Sequence, residues 1–545
     1  MSVPIIIGVT GHRDLRQQDI PTLREAVYTE LEKLRTAYSH SEFVMLNSLA
    51  AGADTLCAEE ALKLGISLIC PLPMPKEEYS KDFSGEELEV FESLLCKADK
   101  VFVAPHTEPE EDIRDYLYRQ AGIYIAVNSH VLLALWDGYA PKPGGCGTAE
   151  TVEFMLNGNF NDGNKHFRAA NDGAVIHIAA PRQSSQKDIY ISSKLIETKL
   201  GSLDEILRMT DDFNRDTGAM SDYSNEENAL LPNEYIEGSL LLRRLNKLFG
   251  LADKLSLHFQ AHYMKAMKYF SVFGFLLVLF FLLYDEMESD LFLLFYGLLI
   301  MVYMAAFVIV KKNNAHEKYL QYRMLSETAR VQFYLTAAGL SENIGNEFTW
   351  TQKQESTWVK EAISALLIGG EQKAEIPYEL IKTHWIDGQL AYHQKAFQRD
   401  SSRHRVNERT AMWMLAASVV LFLIVFALEF FIKSAVNYEL FKNPLPAVFM
   451  QHPDQMLTVR CLVKILLGGI SAVTVFLANY YDKLSFERKS IDHEKMASLY
   501  EAAKAQFENR QTDLKRLFLE LAREEIIETG NWMSYCRENP PSFNV

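Results

Sequence analysis

The stretch from Pro143 to Glu150, Pro-Gly-Gly-Cys-Gly-Thr-Ala-Glu, stands between a predicted strand and a predicted helix. The apolar run His130–Trp136 before it is typical of a buried strand, and the residues from Thr148 onward resemble a helix start. Glycine lets a backbone approach a ligand closely, and the free N–H groups of a helix N-terminus favour phosphate. We therefore predict a phosphate site formed by Gly144, Gly145, Gly147, Thr148 and Glu150, with Thr148 as the helix N-cap. The alternative is a tight turn that needs glycine for its geometry alone.

The composition and charge of the whole chain limit its class. The 545 residues carry a formal net charge of −16 without any basic stripe, so we expect no nucleic-acid partner. The six cysteines are scattered without a C-x-x-C pair, which favours reduced thiols and indicates no metal site. The N-terminus lacks the basic region and the long apolar run of a signal peptide.

Four uncharged apolar segments interrupt an otherwise soluble composition. A helix needs about 20 apolar residues to cross a bilayer, so we predict four transmembrane helices. The alternative, four buried helices of a large soluble core, would require two long apolar hairpins, which soluble chains rarely contain. The segments are Tyr269–Tyr284, Leu291–Val310, Ala411–Leu428 and Ile465–Tyr481.

Basic residues beside these segments predict their orientation. Their excess places both termini and the central segment in the cytoplasm, with the spans in the inner or plasma membrane. The first hairpin loop, Asp285–Asp290, has no Lys or Arg, whereas the loop Lys433–Arg460 has three basic residues and departs from the pattern. The flanking basic residues are Lys265, Lys268, Lys311, Lys312, Arg399, Arg403, Arg405, Arg409, Lys483, Arg488 and Lys489.

Strand and helix patterns alternate over residues 1–182, which predicts an α/β doubly wound, Rossmann-like domain with a mainly parallel sheet. The predicted strands are Ile5–Val9, Phe43–Ser48, Ile66–Leu72, Lys100–Ala104, His130–Trp136 and Ala174–Ala179. Ligands of such sheets bind at the carboxyl ends of the strands. We therefore expect the loops 10–14, 48–54, 71–83 and 137–150 on one rim.

The polar turn after the first strand belongs to the same predicted site. A strand, a short polar loop with glycine and a helix form a phosphate-binding layout, although the sequence matches neither G-x-G-x-x-G nor a Walker loop. A solvated turn with a structural histidine is the alternative. Asp54, after the second strand, either caps the following helix or accepts hydrogen bonds from a ribose. The binding residues predicted in this part of the chain are Gly8, Thr10, Gly11, His12, Arg13, Gly52 and Asp54.

The Pro-Gly-Gly-x-Gly-Thr motif after a strand resembles the signature of the LOG-type (lysine-decarboxylase-like) nucleotide phosphoribohydrolases, within the SLOG superfamily of Rossmann-like nucleotide binders. The resemblance covers about residues 3–182, and Arg119 stands where that family carries its helix arginine. The family continues Thr-x-x-Glu with a catalytic glutamate. Here Thr151 holds that position and Glu150 precedes it, about 100° around a helix. The resemblance thus implies a nucleotide or NAD-derived ligand without turnover and no prosthetic group, with Arg119 and Glu150 as candidates for any catalysis.

The rest of the chain predicts a linker over 183–233 and a long helix, Glu234–Lys268, that runs into the first span. The segments 311–318 and 488–495 share basic residues and His-Glu-Lys at an offset of 177, which suggests a duplicated unit of two spans plus a cytoplasmic helix, or chance. Such units, with Trp385–Gln389 and Asn531–Trp532, resemble the SLATT family, two-span proteins that accompany SLOG domains in bacterial conflict systems and are proposed to form pores. The predicted domains are 1–182, 183–233, 234–368, a cytoplasmic connector 369–410, and 411–545.

Three functions are compatible with these patterns. The first is a homo-oligomeric membrane effector that binds a nucleotide or NAD-derived messenger and opens a pore or perturbs the membrane, in anti-phage or conflict defence. The second is a membrane-tethered hydrolase of nucleotide N-glycosidic bonds, and the third is a passive scaffold. Small residues line one side of the fourth segment and indicate either close helix packing or a pore lining. They are Gly468, Gly469, Ser471, Thr474 and Ala478.

Overall fold

A computed structural model describes residues 2–106, 113–140, 147–157, 173–184, 189–197, 202–220, 229–287, 289–370, 376–437, 453–509 and 511–538. The chain divides into two compact units. The first contains Met1–Leu255, Gln321–Tyr378 and Phe518–Ser534, and the second contains Ser256–Leu320, Glu379–Leu517 and Tyr535–Val545. Each unit is therefore assembled from segments that are distant in sequence.

The first unit contains a sheet of seven strands in the order β4-β3-β2-β1-β5-β6-β7. The strands are β1 (Ile5–Gly11), β2 (Phe43–Leu46), β3 (Ser67–Leu72), β4 (Lys100–Val103), β5 (Val131–Trp136), β6 (Ala174–Ala179) and β7 (Ser193–Glu197). All neighbours pair in parallel except β6 and β7, which are antiparallel. The six strands predicted from apolar runs are confirmed, with ends that differ by at most two residues.

Helices cover both faces of this sheet. They are α1 (Ile20–Ala37), α2 (Ala53–Lys63), α3 (Lys76–Tyr79), α4 (Glu86–Lys97), α5 (Ile113–Val127) and α6 (Thr148–Asn157). Side chains alternate along the central strand β1, so Ile5 and Ile7 enter the core with α1, α2 and α4, and Ile6 enters the core with α5 and α6. Because the strand order reverses at β1, right-handed crossovers leave it in two directions and place helices on both faces. The α/β prediction for the N-terminal part is confirmed at this level.

The segment 183–233, which the sequence predicts as a linker, contains regular structure where it is described. It supplies the edge strand β7 and the 16-residue helix α7 (Leu203–Gly218). Asn214 of α7 binds the start of the chain, since its Oδ1 accepts from Val3 N at 2.8 Å and its Nδ2 donates to Val3 O at 2.9 Å. Four of the five β7 residues are exposed, so the sequence of this strand contains no apolar run that would predict it.

The remaining structure is helical. Its helices are α8 (Asn233–Glu237), α9 (Leu240–Met287), α10 (Asp290–Asn313), α11 (Ala315–Ala337), α12 (Trp350–Glu355), α13 (Thr357–Leu367), α14 (Tyr378–Ile381), α15 (Gly388–Asn437), α16 (Pro453–Leu484), α17 (Phe486–Glu508) and α18 (Leu514–Glu538). A π-helical turn, Lys382–Asp387, joins α14 to α15. The predicted helix Glu234–Lys268 is interrupted, because α8 ends at Glu237 and α9 begins at Leu240.

Four helical stretches within the described residues are long and apolar enough to cross a membrane. They are Leu240–Met287, Asp290–Ala337, Tyr378–Leu428 and Thr458–Ala478. At most 22% of the most apolar window of any of them is buried. Few side chains of these windows are therefore fully buried, and on the second and third stretches most are exposed, such as Leu294 at 67% and Phe426 at 59%.

The helix breaks after the two apolar hairpins change the interpretation of the internal repeat. Asn314 separates α10 from α11 and Ser485 separates α16 from α17, each in a left-handed conformation with φ of 46° and 47°. These breaks lie 171 positions apart, whereas the His-Glu-Lys pattern recurs after 177. His316 thus follows its break by two residues and His493 follows by eight, so the pattern does not mark equivalent positions of the two hairpins.

Candidate functional site

The turns after β1 and β5 lie side by side at the carboxyl edge of the sheet. The two strands pair in parallel from Ile7 opposite Val131 to Gly11 opposite Leu135. Parallel neighbours end at the same edge, and the strand order reverses between these two. The crevice outside such a reversal is where open α/β sheets bind ligands. The loops that the sequence predicts on one rim therefore include two that are direct neighbours.

His12 connects the two turns. Its backbone N donates to Leu135 O at 3.1 Å, and its Nε2 accepts from the backbone N of Asp137 at 3.1 Å. Burial lowers the pKa of His12, and the nearby Asp137 carboxylate, 3.2 Å from Nε2, only partly opposes this. At neutral pH the ring is thus an uncharged acceptor that holds the turns together. This geometry favours the structural role that the sequence left as an alternative for His12.

The glycines of the predicted site have different roles. A Cβ on Gly11 would lie 2.2 Å from Ala53 Cβ, so this glycine lets α2 begin directly against β1. Gly52 has a φ of +88°, and a Cβ there would lie 2.4 Å from Arg13 O. Gly8 is remote from the rim, where a Cβ would meet Ser129 Oγ of the turn after α5 at 2.4 Å. Gly8 therefore permits the packing of α5, and its place in the ligand site stays a prediction.

The turn after β2 is held by a buried polar network. Asn47 Nδ2 donates to Asp54 O at 2.7 Å, and Asn47 Oδ1 accepts from the backbone N of Leu49 at 2.7 Å. Leu49 is fully buried and has a left-handed φ of 57°, a conformation that a side chain rarely adopts and that marks local strain. The network fixes the start of α2 beside the β1 turn.

Asp54 lies inside the first turn of α2 and does not cap it. Gly52 occupies the N-cap, so the capping alternative for Asp54 is wrong. The carboxylate is buried, and among the described residues its Oδ2 accepts a long bond of 3.4 Å from Ala50 N. Burial raises the pKa of Asp54 to about 7, against the Ala50 hydrogen bond and the charge of Arg13. A buried acid that titrates near neutrality beside the rim is a group whose environment is typical of functional sites.

Arg13 and Asp14 leave the β1 turn in different environments. Arg13 is exposed, and its guanidinium lies 5.0 Å from the centre of the Tyr118 ring of α5. Asp14 accepts from Arg182 Nε at 2.8 Å and from Ser184 Oγ at 3.0 Å. Burial alone would raise the pKa of Asp14, but these hydrogen bonds outweigh it and lower the pKa. Arg13 is thus presented to solvent, whereas Asp14 ties the turn to the chain after β6.

Arg119 and Glu150, 31 positions apart in sequence, meet where α5 passes the start of α6. Arg119 Nε lies 3.4 Å from Glu150 Oε1, and both side chains are about one third exposed. Burial raises the pKa of Glu150, Glu153 adds to this, and Arg119 opposes it. Glu150 Oε2 is enclosed without a hydrogen-bond partner among the described residues. The pair predicted from sequence is thus in contact, with one carboxylate oxygen available.

The start of α6 differs slightly from the prediction. Thr148 is its first helical residue, and Gly147 O accepts from Thr151 N at 3.2 Å, so Gly147 rather than Thr148 occupies the N-cap. A Cβ on Gly147 would meet no described atom within 4 Å, so the space in front of this helix start is open toward the described residues. Gly144 and Gly145 lie outside the residues that the structure describes.

Thr151, the position of the LOG-type glutamate, is packed against α5. A Cβ on Gly122 would lie 2.8 Å from Thr151 Oγ1, so the two helices touch here. Glu150 is instead the acid that reaches Arg119. The one-residue displacement therefore changes which side chain meets the helix arginine.

Several rim residues were missed from sequence. Asp137, Asn47 and Tyr118 contact predicted site residues, and His177 on β6 lies 2.9 Å through Nε2 from Trp136 O. Asp137 follows a central strand directly, which was the signal available for it. The others give no local signal, because their positions depend on strand order. Thr10 lies within β1 opposite Ala134.

Elsewhere among the described residues we find no comparable candidate site. No group of three or more His, Cys, Asp or Glu side chains is placed to hold a metal ion there. A shallow cleft of about 950 Å³ is lined by α1, the second half of α2 and α4, and it includes none of the predicted site residues. Its charged walls carry both signs, such as Arg24 with Glu59 and Lys63.

Comparison with profiles of known protein families and with curated protein sequences found no match to this chain.

Proposed function

We propose that this chain is a membrane-embedded effector that senses a nucleotide or NAD-derived metabolite and responds through its apolar helices. The observation that carries the proposal is the rim at the β1–β5 reversal, within a chain that also contains four helices long and apolar enough to cross a membrane. The proposal agrees with the resemblance to SLOG and SLATT proteins, and with it to bacterial anti-phage or conflict defence.

The rim has the groups that a phosphorylated ligand requires. Arg13 presents an exposed cation in the β1 turn. Arg119 supplies a second guanidinium at the start of α6, where helix N–H groups favour an anion. Buried Asp54 is a candidate for a ribose hydroxyl, because a carboxylate accepts the hydrogen bonds that such hydroxyls donate.

The contacts of helix α7 support a route by which ligand binding at the sheet would affect the helices beyond it. Asn214 holds the start of β1 through Val3, and two residues later Asp216 accepts from Tyr322 OH of α11 at 2.8 Å. Phe213 packs against Tyr322 with ring centroids 5.4 Å apart. Since α11 follows the first apolar hairpin directly, movement of β1 on ligand binding would bias the helix that leaves it. A ligand shifts this equilibrium only by its preference for one state.

The apolar helices support insertion into a bilayer. Large apolar side chains on α10 and α15 are more than half exposed, including Met301 at 66% and Trp413 at 76%. Exposed apolar area of this extent requires lipid or a partner. Basic residues beside the segments favour cytoplasmic termini in the inner or plasma membrane. Assembly of several copies would join these helices into a pore or a membrane lesion.

The test is a flux assay on the full-length protein in liposomes. Nucleoside monophosphates, NAD and its phosphorylated fragments are added while dye release and membrane potential are recorded, and binding is measured by calorimetry. We expect one ligand to bind and to trigger flux, and Arg119→Ala to abolish both. Lys33→Ala, which removes an exposed lysine paired with Glu30 on α1, is the control. A folded, inserted protein that binds none of these compounds would refute the proposal.

The Arg119–Glu150 contact favours one alternative, a membrane-tethered hydrolase of nucleotide N-glycosidic bonds. A glutamate with a raised pKa beside an arginine is suited to general acid chemistry. This function predicts release of free base from nucleoside monophosphates, and loss of that release in Glu150→Ala. Binding without any base release supports the sensor instead.

A further inference from the structure

A cluster of cationic side chains lies on α15 and α17, close to the ends of the apolar segments Ala411–Leu428 and Ile465–Tyr481. We call it the Phe486 cluster; its members are Arg399, Asp400, Arg403, Phe486 and Lys489. On α15, Arg403 precedes the apolar segment Ala411–Leu428 by eight residues, which is about 12 Å along a helix. On the other side, Phe486 follows the segment Ile465–Tyr481 by five residues. Both helices therefore present Arg403, Phe486 and Lys489 about two turns or less from apolar sequence.

A single aromatic ring gathers cations from both helices. The Arg403 guanidinium and the Lys489 ammonium each lie 5.7 Å from the centre of the Phe486 ring. Such contacts attract a cation to the ring face without neutralising its charge. The two cations are thus held at a fixed place and keep their charge.

The carboxylate that the described side chains offer to these cations is shared. Asp400, whose side chain is 3% exposed, accepts from Arg399 through Nε at 2.8 Å and Nη2 at 3.1 Å. Arg403 Nη1 is 4.0 Å from the same carboxylate, and His493 Nε2 is 3.8 Å from it. Arg399 and Arg403 therefore share one carboxylate that already accepts a two-pronged bond, and Lys489 adds a third positive charge beside the Phe486 ring.

The positive charges of Arg399 and Arg403 also act on the ammonium group of Lys489. Its pKa is lowered first by burial, and the charges of Arg399 and Arg403 lower it further against the opposing effects of Cys536 and Asp400. A bound anion would offset the repulsion from Arg399 and Arg403.

We propose that the Phe486 cluster binds the phosphodiester headgroup of an anionic lipid. This inference rests on the membrane insertion in the proposed function. A lipid fits better than a soluble anion because α15 continues from the cluster into exposed apolar side chains, with Val406 at 61%, Met412 at 65% and Trp413 at 76% exposure, along which acyl chains can lie. Anionic headgroups are attracted to such juxtamembrane cations.

The experiment places the full-length protein in nanodiscs of phosphatidylcholine with increasing phosphatidylglycerol. Native mass spectrometry then counts the lipids that remain bound. We expect retained phosphatidylglycerol in the wild type, and an affinity about fivefold weaker for each cation removed in Arg403→Gln and Lys489→Gln. Arg403→Lys, which keeps the charge, should retain most of the binding. The matched control is Arg405→Gln, an exposed arginine of the same helix outside the cluster.

Three outcomes would overturn the inference. One is equal loss of lipid in Arg405→Gln and in the cluster variants, and another is unchanged retention in the Arg403→Gln, Lys489→Gln double variant. The third is full displacement of the lipid by inorganic phosphate, which would identify a soluble-anion site. Thermal unfolding of each variant confirms that it is folded. Failure of the wild type to enter nanodiscs would count against the proposed function, whereas insertion without lipid preference would count against this inference alone.

Discussion

The sheet and the four apolar helices are built from similar residues with opposite exposure. Ile5 and Ile7 of β1 are fully buried, whereas Leu294 and Met301 of α10 are about two thirds exposed. In the sheet, apolar surface is covered by helices of the same chain, so folding in water gains its free energy. In apolar helices such as α10, the chain leaves most of the apolar surface exposed, and an apolar solvent can cover it.

Both regions nevertheless achieve their closest contacts in the same way. In the sheet, Gly11 admits Ala53. In the apolar helices, Gly274 of α9 admits Phe476 of α16, and Gly468 of α16 admits Leu282 of α9, each ring or methyl lying 2.6 Å from the position of a Cβ. Both regions therefore use glycine for close packing, but they differ in the solvent that covers the rest of their apolar surface. The following predictions test this comparison, from the largest expected effect to the smallest.

The buried acid Asp54 should make the sheet region less stable at high pH. Its folded pKa, about 7, lies above the ordinary value of 3.8, so the unfolded chain loses this proton first as the pH rises. The free energy of unfolding should therefore fall between about pH 4 and pH 7, by up to about 4 kcal/mol. Asp54→Asn should remove this decrease and stabilise the protein at pH 8. Denaturant unfolding at each pH, with hydrogen exchange of the β1 and β2 amides as the readout, measures this free energy.

Asp14 provides the control of opposite sign. Its pKa is lowered in the fold, so its contribution is present above the ordinary pKa and is lost as the pH falls through the folded value. Asp14→Asn should therefore destabilise the same strands at neutral pH. Parallel behaviour of the two asparagine variants at pH 8 would contradict the electrostatic account of the rim.

Gly52→Ala should destabilise the sheet by about 3 kcal/mol. The new Cβ combines an unfavourable φ with a clash against Arg13 O. Gly85→Ala separates these causes, because Gly85 has a φ of +54° but no atom within 4 Å of the added Cβ. That control should lose only about 1 kcal/mol. Equal losses in thermal unfolding would show that backbone conformation, and not close packing, governs the rim.

Adjacent glycines of α16 should respond differently to enlargement. Gly468→Val should cost about 2 kcal/mol, because the side chain would displace Leu282, whereas a Cβ on Gly469 meets no described atom within 4 Å. The readout is thermal stability of the full-length protein in lipid nanodiscs. If Gly469→Val were the more damaging, its face would be the one that meets another copy or lines a pore, and the packing account of Gly468 would fail.

Arg13→Gln should have the smallest effect on folding. An exposed cation over an aromatic ring contributes about 0.5–1 kcal/mol, so thermal unfolding should change little. Ligand binding by calorimetry should nevertheless weaken clearly, because the variant loses the exposed cation of the β1 turn. Loss of stability with intact binding would place Arg13 among the structural residues.

The sequence predicted more of the fold than of the site. Six strands and four apolar segments were found because each is a local run of one composition. Strand β7 was missed because its side chains are mostly exposed, and Asp54 was misjudged as a possible cap because Gly52 takes that position. His12 and Gly8 stay predicted ligand groups, and the contacts with Asp137 and Ser129 that give them structural roles could not be read from the sequence.

The sequence by itself determined the alternation of strand and helix, the apolar helices and the glycine turns, since each is a property of a single segment. Only the tertiary structure decided that β1 lies beside β5, that Arg119 meets Glu150 and that Asp54 is buried. These facts depend on strand order and on the angle at which helices cross the sheet. Segments separated by more than a hundred residues, such as the β1 and β5 turns, carry no local signal of their pairing.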